Sequence, residues 1–411
     1  MLYGLIGEKL GHSYSKIIHE SFGKYDYDLI ELNKESFITF MAARDFTGIN
    51  VTIPYKRDAI PFCDALTPVA KAIGSVNTMY FQNGKLIGDN TDYFGFNYML
   101  QWSGISLKDK KVLILGAGGS SLMVVKAAKD LEAKEIIVAS RTGLNAMISL
   151  PQTIEHTDSQ IIINATPVGM YPLNGESLIS LKDFPFCEGV IDLIYNPLLT
   201  HFLFEAKALK IPFSNGLPML VAQAFKAFEL FTGAILENNI LEDTIFSLEK
   251  EIKNIVLTGM PGCGKTTLGL LLSEKLKCPF VDTDDLIEKQ IGMPIPLFFE
   301  VSGEEEFRKI ESQVAREVGK YQGHVISTGG GIILNPMNME ALSQNGTVLF
   351  LDRPLECLVS TGRPLSKSLD SLKKMASQRI PLYKRYSDYI INVFENPYES
   401  INYILKVLGG K

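Results

Sequence analysis

Short apolar runs alternate with longer amphipathic stretches along the whole chain, and polar or glycine-containing turns separate them. Strand-like runs occupy residues 2–6, 48–53, 111–115, 135–139, 160–164 and 189–193, and later residues 255–258, 325–327, 348–351 and 389–393. Parallel neighbours in a sheet need a crossover connection, which is usually a helix. The alternation therefore predicts an α/β protein with mostly parallel sheets.

The chain has 411 residues, a length that suggests two to three domains. We expect one boundary near residues 101–106, before a glycine-rich strand–turn–helix, and another near residues 247–253. The second join, SLEKEIK, is short and charged and lacks proline and glycine, so it can also continue a helix.

The composition excludes several classes of protein. The formal net charge is −6, which argues against a general nucleic-acid binder. The five cysteines form no CxxC pair, and we interpret them as reduced thiols of a cytoplasmic protein. The N-terminal residues show no signal-peptide pattern, and no apolar segment reaches membrane-spanning length.

The strongest local motif is GMPGCGKTT at residues 259–267, directly after an apolar run. Its glycines allow backbone N–H groups to surround a phosphate, and the following helix turns its positive end to the same anion. In a loop of this type Lys265 reaches the β/γ phosphates and the Thr266 hydroxyl ligates Mg²⁺. A chance glycine turn is the alternative, which the full GxxxxGK-S/T spacing disfavours. The predicted ATP-binding residues are Gly259, Gly262, Cys263, Gly264, Lys265, Thr266 and Thr267.

Two carboxylates, Asp282 and Asp284, follow the next predicted strand. Asp282 can hold the metal, while Asp284 can take a proton from a substrate hydroxyl or bind it. The alternative is a capping cluster for a helix that begins at Asp285. The neighbouring phosphate loop favours the functional interpretation.

Three arginines complete this half of the chain: Arg308 in GEEEFRKIE, Arg363 in TGRPL and Arg379 in QRIPLY. Arginine here either stabilises charge in the transition state or binds a carboxylate through two hydrogen bonds. The sequence STGGG at residues 327–331 adds a backbone that a small ligand can approach closely.

In this order, the segments resemble shikimate kinase from residue 254 to the C-terminus. The resemblance implies a P-loop fold of the nucleoside-monophosphate-kinase type, with shikimate held by Asp284, Arg308, Gly330 and Arg379. It also implies that Thr266 and Asp282 serve Mg²⁺ and that Arg363 is a lid arginine with a catalytic role, beside Lys265 and Asp284. The stretch ECLVSTG before RPL is shorter than the resemblance leads us to expect, so we expect a trimmed lid.

The N-terminal half carries a second nucleotide signature. The strand at 111–115 is followed by Gly116-Ala-Gly-Gly119 and a helix-like run from Ser120. The second strand of this unit leads into Ser140-Arg141-Thr142, where an NAD enzyme usually has an acidic residue. An arginine suits a 2′-phosphate, so we expect NADP(H) rather than NAD; the alternative for Arg141 is an ordinary surface residue.

Upstream, hydroxyl and amide side chains cluster with one lysine and one aspartate in KLGHSYSK, NVTIPYK, SVNT and DNTD. Such groups suit a small polyhydroxy acid. Lys56 and Asp92 can act together as general acid and base for a carbonyl/alcohol pair. A surface ion pair is the alternative.

With INATPVGM, DLIYNPLLT and NGLPMLVAQAF, these segments resemble shikimate dehydrogenase over about residues 1–241. The resemblance implies a catalytic pair, Lys56 and Asp92. It implies that the substrate is bound by Ser13, Ser15, Thr52, Asn77, Tyr195 and Gln223. It also implies an NADP site along Gly116, Ala117, Gly118, Gly119, Ser120, Ser140, Arg141, Thr142, Leu193 and Gly216.

Together the two resemblances imply a bifunctional enzyme that reduces 3-dehydroshikimate to shikimate with NADPH and then phosphorylates shikimate with ATP and Mg²⁺. We expect a substrate-binding domain at 1–101 onto which the helices near 217–245 pack back, a Rossmann domain at 102–247 and a P-loop domain at 254–411. No nucleic acid, membrane or tunnel is indicated. Two alternatives stay open: a dehydrogenase with another substrate such as quinate, and a non-catalytic sensor, against which the intact Lys56, Asp92, Lys265 and Asp282 argue.

Overall fold

The computed structural model describes residues 2–11, 13–23, 25–141, 147–172, 174–358 and 369–409. These residues form two compact units, Met1–Leu248 and Glu249–Lys411. Arg363 and Thr142, two of the predicted site residues, lie outside the described residues.

The first sheet of the N-terminal unit is mixed. Its strands are β1 (Tyr3–Gly7), β2 (Tyr27–Glu31), β3 (Gly48–Val51), β4 (Ala65–Leu66), β5 (Thr78–Gln82) and β6 (Lys85–Asp89), in the spatial order β2-β1-β3-β5-β6-β4. The helices of this region are α1 (Ser15–Phe22), α2 (Lys34–Ala43), α3 (Pro68–Ile73) and α4 (Thr91–Ser103). β5 runs antiparallel to both β3 and β6. The carboxyl ends of β3 and β6 and the start of β5 therefore share one edge of the sheet.

The second sheet is parallel throughout its described strands, as its nearly continuous apolar strands predict. It contains β7 (Lys111–Leu115), β8 (Glu135–Ser140), β9 (Ile148–Ser149), β10 (Ile161–Asn164), β11 (Gly189–Asp192) and β12 (Phe213–Ser214), in the order β12-β11-β10-β7-β8-β9. The helices are α5 (Gly119–Asp130), α6 (His201–Leu209), α7 (Leu217–Thr232) and α8 (Asn238–Ile252). Separate apolar clusters cover the two faces of this sheet.

The C-terminal unit has one parallel sheet in the order β14-β15-β13-β16-β17. Its strands are β13 (Asn254–Thr258), β14 (Phe280–Asp282), β15 (Val325–Ser327), β16 (Gly346–Asp352) and β17 (Tyr389–Asn392). Its helices are α9 (Lys265–Leu276), α10 (Thr283–Ile291), α11 (Ile295–Val318), α12 (Pro336–Ser343), α13 (Leu369–Tyr386) and α14 (Pro397–Val407), and α11 is interrupted at Gly303, where φ is 79°. An extended apolar cluster of described residues lies in the core of this unit.

The expected α/β architecture with mostly parallel sheets is confirmed, and each predicted strand lies within two residues of an observed one. The helix that the sequence places at Asp285 begins at Thr283 instead, because the Asp282 carboxylate accepts the Asp284 N–H and caps the helix there. The SLEKEIK segment continues α8, as its lack of proline and glycine allows. Among the described residues, no helix is both long and apolar enough to cross a membrane, and none of the five cysteines is in a disulfide.

The close pairing of α4 and α7 depends on Gly95. A Cβ built on Gly95 would lie 2.5 Å from the carbonyl oxygen of Met219 and 3.1 Å from the Cβ of Gln223. Helix α7 also packs on α1 and β5 of the first sheet. The helix that carries Gln223 is thereby held against the helix that carries Asp92.

We expect Gly95→Ala to lower the free energy of unfolding of the N-terminal unit by about 1–2 kcal/mol, because a backbone carbonyl must move to admit the methyl group and this outweighs the better helix propensity of alanine. The chain has one tryptophan, Trp102 on α4, which contacts Phe246. Its emission during urea unfolding therefore reports on this unit.

The matched control is Gly175→Ala, since a Cβ at Gly175 has no atom within 4 Å. The control should unfold at the wild-type urea concentration. An unchanged midpoint for Gly95→Ala as well would contradict the close packing of α4 on α7.

Candidate functional site

The N-terminal unit contains a cleft of about 410 Å³, which we call the first cleft. Its lining includes every substrate-binding and catalytic residue predicted in this unit: Ser13, Ser15, Thr52, Lys56, Asn77, Asp92, Tyr195 and Gln223. These residues come from segments far apart in sequence, and the shared edge of the mixed sheet brings several of them together. Leu193 and Gly216, predicted for the NADP site, also line the first cleft.

Lys56 and Asp92 form an ion pair at the centre of the first cleft. Lys56 Nζ lies 2.6 Å from Asp92 Oδ2, and the two side chains are 21% and 13% exposed. Asp92 is in the first turn of α4, where the helix dipole favours a negative charge. The alternative of a surface ion pair is wrong, because both side chains are mostly buried and face the cleft.

The second oxygen of Asp92 is also engaged. Asn77 Nδ2 donates to Asp92 Oδ1 at 2.9 Å. The Asn77 amide cannot turn around without loss, because its Oδ1 accepts the backbone N–H of Thr91 at 2.7 Å. The carboxylate is thus held from both sides, by Lys56 and by Asn77.

A buried polar network supports Asn77 from behind. Thr78 Oγ1 lies 3.0 Å from Asn77 Oδ1 and receives a hydrogen bond from Asn50 Nδ2 at 2.9 Å. The Tyr27 hydroxyl donates to Asn50 Oδ1 at 2.7 Å. Buried networks whose members are paired hold their side chains in one orientation. Because Asn77 in turn donates to Asp92, the network also fixes the orientation of the Asp92 carboxylate.

The remaining polar groups surround the ion pair. The Ser13 hydroxyl donates to the Ser15 hydroxyl at 3.0 Å. Gln223 Nε2 donates to the Leu220 carbonyl at 3.0 Å. Burial raises the pKa of the Tyr195 phenol, which keeps it a neutral hydroxyl. Hydroxyls and amides around a lysine can bind a small polyhydroxy compound.

The predicted dinucleotide loop connects β7 to α5. Gly116 has φ 110°, and a Cβ there would lie 2.7 Å from Thr166 Cγ2, so a side chain is excluded. Helix α5 begins at Gly119, directly after Gly118, and Gly118 is exposed. The backbone N–H groups at this helix end are therefore accessible to a phosphate. Ala117 and Ser120 are half-buried in the same turn.

The end of β8 and the turn at Gly216 complete this region. Ser140 ends β8, and the side chain of Arg141 after it is exposed. A Cβ on Gly216 would lie 2.1 Å from the Leu193 carbonyl oxygen, so the two segments meet backbone to backbone. The dinucleotide region and the first cleft share this contact, because both residues line the cleft.

The C-terminal unit contains a cleft of about 490 Å³, which we call the second cleft. Of the predicted residues, its lining contains Gly262, Gly264, Lys265, Thr266, Thr267, Asp282, Asp284, Arg308, Gly330 and Arg379. Gly259 and Cys263 do not line it. The Cys263 side chain is fully buried in the apolar core, so only its backbone can serve a ligand.

The phosphate loop has the backbone that its glycines predict. Gly259, Gly262 and Gly264 have φ values of 151°, 87° and 99°, which side-chain-bearing residues rarely adopt. Lys265 begins α9, and its ammonium group donates to the carbonyls of Gly259 and Met260 at 2.9 and 3.2 Å. The loop therefore encloses a lysine at the amino end of a helix, an arrangement that binds polyphosphate.

Two oxygen groups meet beside the loop. The Thr266 hydroxyl donates to Asp282 Oδ2 at 2.8 Å. Mg²⁺ prefers oxygen ligands and usually takes one or two from the protein, with phosphate oxygens and water completing its shell. Among the described residues, no group of three or more histidine, cysteine, aspartate or glutamate side chains is placed to hold a metal ion.

Asp284 is half-buried and also lines the second cleft. Its pKa is raised to about 6, first by burial and then by the nearby Asp282, while Lys265 opposes the change. A carboxylate of raised pKa that faces a cleft is suited to accept a proton.

Arg308 and Arg379 approach the same region from α11 and α13. Arg308 Nη1 lies 2.8 Å from Glu311 Oε2, and Arg308 Nη2 lies 2.9 Å from Glu304 Oε1. Arg379 Nη1 donates to the Gly330 carbonyl at 2.8 Å. Each guanidinium retains further N–H groups for a carboxylate.

Several residues of the two clefts carry no predicted role. Lys9, Asn50, Met170, Met219 and Leu220 line the first cleft, and Arg353 and Glu311 line the second. All of them except Arg353 stand inside motifs that were used for prediction, so the motifs marked the segments although no role was assigned to these residues. Arg353, in LDRP, follows β16 at the carboxyl edge of a parallel sheet, where ligands usually bind.

Comparison with known proteins gives two family matches. Residues 5–79 match the family model "Shikimate dehydrogenase substrate binding domain". Residues 261–409 match the family model "Shikimate kinase".

Individual relatives cover the N-terminal unit. A shikimate dehydrogenase (NADP+) of Clostridium perfringens is 36% identical over 260 residues, which are 59% of this chain and 96% of the relative. A chorismate mutase/shikimate 5-dehydrogenase fusion protein from Clostridium acetobutylicum matches with a TM-score of 0.57 and 36% identity, over 61% of this chain and 97% of that one. A Thermus thermophilus shikimate 5-dehydrogenase, solved in complex with NADP(H) and shikimate, matches with a TM-score of 0.54 and 32% identity, over 60% of this chain and 99% of that one.

Proposed function

The chain belongs to the shikimate dehydrogenase (NADP+) family in its N-terminal unit and carries a shikimate kinase domain after it, and from the two clefts we propose which residues perform the two reactions. The protein is a bifunctional enzyme of aromatic biosynthesis. It reduces 3-dehydroshikimate to shikimate with NADPH and phosphorylates shikimate with ATP. One observation supports the residue assignment most strongly. The lining of each cleft contains predicted motif residues together with an acid–base group, which is the Lys56–Asp92 pair in the first cleft and Asp284 in the second.

The first cleft performs the reduction. NADPH, when bound, supplies the hydride for the ring carbonyl carbon. Lys56 provides the proton for the carbonyl oxygen, because its ammonium group has three N–H bonds and Asp92 engages only one side of it. Its positive charge also stabilises the developing negative oxygen. Asp92 holds Lys56 in position through their ion pair.

The substrate is held by neutral groups around this pair. Ser13, Ser15 and Tyr195 offer hydroxyls, and Asn77 and Gln223 offer amides, to a ring that carries hydroxyls and a carboxylate. Thr52, at the carboxyl end of β3, completes the set. This abundance of hydroxyls and amides supports a polyhydroxy acid as the substrate.

NADPH would be held at the edge of the second sheet. Residues Gly116–Ser120, at the amino end of α5, would bind its pyrophosphate. The exposed Arg141, after Ser140 at the end of β8, would pair with the 2′-phosphate. Thr142 lies outside the described residues, and its part in the NADP site stays a prediction from the sequence. Leu193 and Gly216 line the first cleft and would contact the nicotinamide next to the substrate.

The second cleft transfers the phosphoryl group. Lys265 and the loop amides bind the phosphates of ATP, and Thr266 and Asp282 hold Mg²⁺, which neutralises phosphate charge. Asp284 takes the proton from the shikimate hydroxyl. Arg308 and Arg379 bind the shikimate carboxylate, with the Gly330 backbone beside them. Arg363 lies outside the described residues, and its role as a lid arginine stays a prediction from the sequence.

We assign the substrate-binding domain to residues 1–101, the NADP domain to 102–247 and the kinase domain to 254–411. The contacts of α7 with α1, α4 and β5 support its return to the substrate-binding domain. Five cysteines outside disulfides support a cytoplasmic location.

Replacing Lys56 with methionine should lower kcat for 3-dehydroshikimate reduction by about 10²- to 10⁴-fold, because the proton donor is lost while the stem of the side chain remains. The decrease in NADPH absorbance measures the rate. Phosphorylation of shikimate by the same preparation is the internal control and should be unchanged. A Lys56→Met variant that retains most of the wild-type reduction rate would remove Lys56 from the mechanism.

Replacing Arg141 with alanine should raise KM for NADPH about tenfold or more and leave KM for NADH unchanged, because only NADPH carries the 2′-phosphate that the guanidinium pairs with. Steady-state rates with each coenzyme measure the effect. Equal changes for both coenzymes would point instead to a general disturbance of the loop.

Lys265→Met should abolish formation of shikimate 3-phosphate from shikimate, ATP and Mg²⁺, because the phosphates lose their buried cationic partner. Mass spectrometry of the product tests this, and wild-type 3-dehydroshikimate reduction confirms that the variant is folded. If the wild-type chain also forms no product, the second cleft is not a kinase site.

A further inference from the structure

One hydroxyl lies between the two ligand-binding loops of the second cleft. The Tyr383 hydroxyl is 2.9 Å from the carbonyl oxygen of Gly259, in the phosphate loop. It is also 2.6 Å from the carbonyl oxygen of Gly330, in the TGGG loop. Tyr383 is fully buried on α13, so this hydroxyl has no water to replace either partner.

The same two carbonyls bind the cations assigned to the two ligands. Gly259 O accepts from Lys265 Nζ at 2.9 Å, and Gly330 O accepts from Arg379 Nη1 at 2.8 Å. The hydrogen bonds form an unbroken chain from the lysine for ATP, through the Tyr383 hydroxyl, to the arginine for shikimate. A phenol has one proton and both partners are carbonyl oxygens, so Tyr383 bonds both at once only by sharing that proton between them, which requires the two loops to stay close together.

The tyrosine itself is fixed in place. Its ring stacks on Phe350 of β16, with centroids 5.0 Å apart and planes 10° apart. The loops also touch directly, since a Cβ on Gly330 would lie 3.0 Å from Pro261. The distance between the loops is therefore set by a rigid group attached to the core.

We propose that the Tyr383 hydroxyl is a positioning group that couples the two binding sites of the second cleft. A ligand that orders one loop fixes the carbonyl on that loop, and the shared hydroxyl then fixes the carbonyl on the other. The second ligand meets a loop that is already ordered and binds more tightly. This inference rests on the proposed kinase function.

The test uses the full chain without NADP+ and measures initial rates of phosphorylation over a grid of ATP and shikimate concentrations. Only the kinase contributes under these conditions. In the wild-type protein, saturating either substrate should lower KM for the other. In Tyr383→Phe this mutual effect should shrink by about two- to tenfold, the value of one hydrogen bond, with kcat much less affected.

Tyr386→Phe is the matched control, because Tyr386 lies on the same helix and packs against the same apolar core. The Tyr386→Phe variant also loses one phenol hydroxyl, but not the one between the two loops. The effect of each substrate on KM for the other should therefore stay as in the wild-type protein. Equal coupling in wild type and Tyr383→Phe, or no coupling in wild type, overturns the inference. A wild-type chain that forms no shikimate 3-phosphate overturns the proposed function instead.

A second measurement does not depend on the folding of a variant. Amide hydrogen exchange of the wild-type chain should slow at residues 328–332 when the Mg²⁺ complex of ADP is added alone. It should slow at residues 259–264 when shikimate is added alone. Protection confined to the loop that each ligand contacts overturns the coupling.

Discussion

Strand direction determines where the chemistry of this protein can occur. The described strands of the second sheet are parallel, and so are those of the sheet in the C-terminal unit. In each of these two sheets, the segments that leave the carboxyl ends of the strands therefore lie along one edge of that sheet. The mixed first sheet reaches the same result differently. Because β5 runs backwards, the segment that enters it, with Asn77, lies beside the segments that leave β3 and β6. Lys56 and Asp92 follow those two strands, and one edge therefore brings both residues to Asn77.

Local sequence patterns predicted the architecture well because their causes are local. The apolar strand at Lys111–Leu115 and the glycines after Thr258 specify their backbone without reference to distant residues. Asp282 shows that two local interpretations can both hold. It caps α10 through one oxygen and meets the Thr266 hydroxyl through the other. A capping position and a ligand position coincide there.

The residues that were not predicted are those whose roles depend on distant partners. Tyr383 acts through carbonyls that lie 124 and 53 positions away along the chain. Asn50 supports Asn77 by way of Thr78, a relation that no spacing within NVTIPYK encodes. Glu311 is a buried carboxylate held by Arg308, and the GEEEFRKIE pattern contains it among exposed acidic neighbours. Glu311 differs from these neighbours in being buried. Since burial depends on the whole fold, the local sequence pattern does not predict it.

The two clefts offer very different surroundings to the same small acid. In the first cleft, serine, tyrosine and amide groups surround a single ion pair. In the second, Arg308, Arg353 and Arg379 line the wall together. An inhibitor whose carboxylate is masked as an amide would keep its hydroxyl contacts in the first cleft but lose its guanidinium partners in the second. Removing the negative charge of such a compound should therefore favour the first cleft over the second.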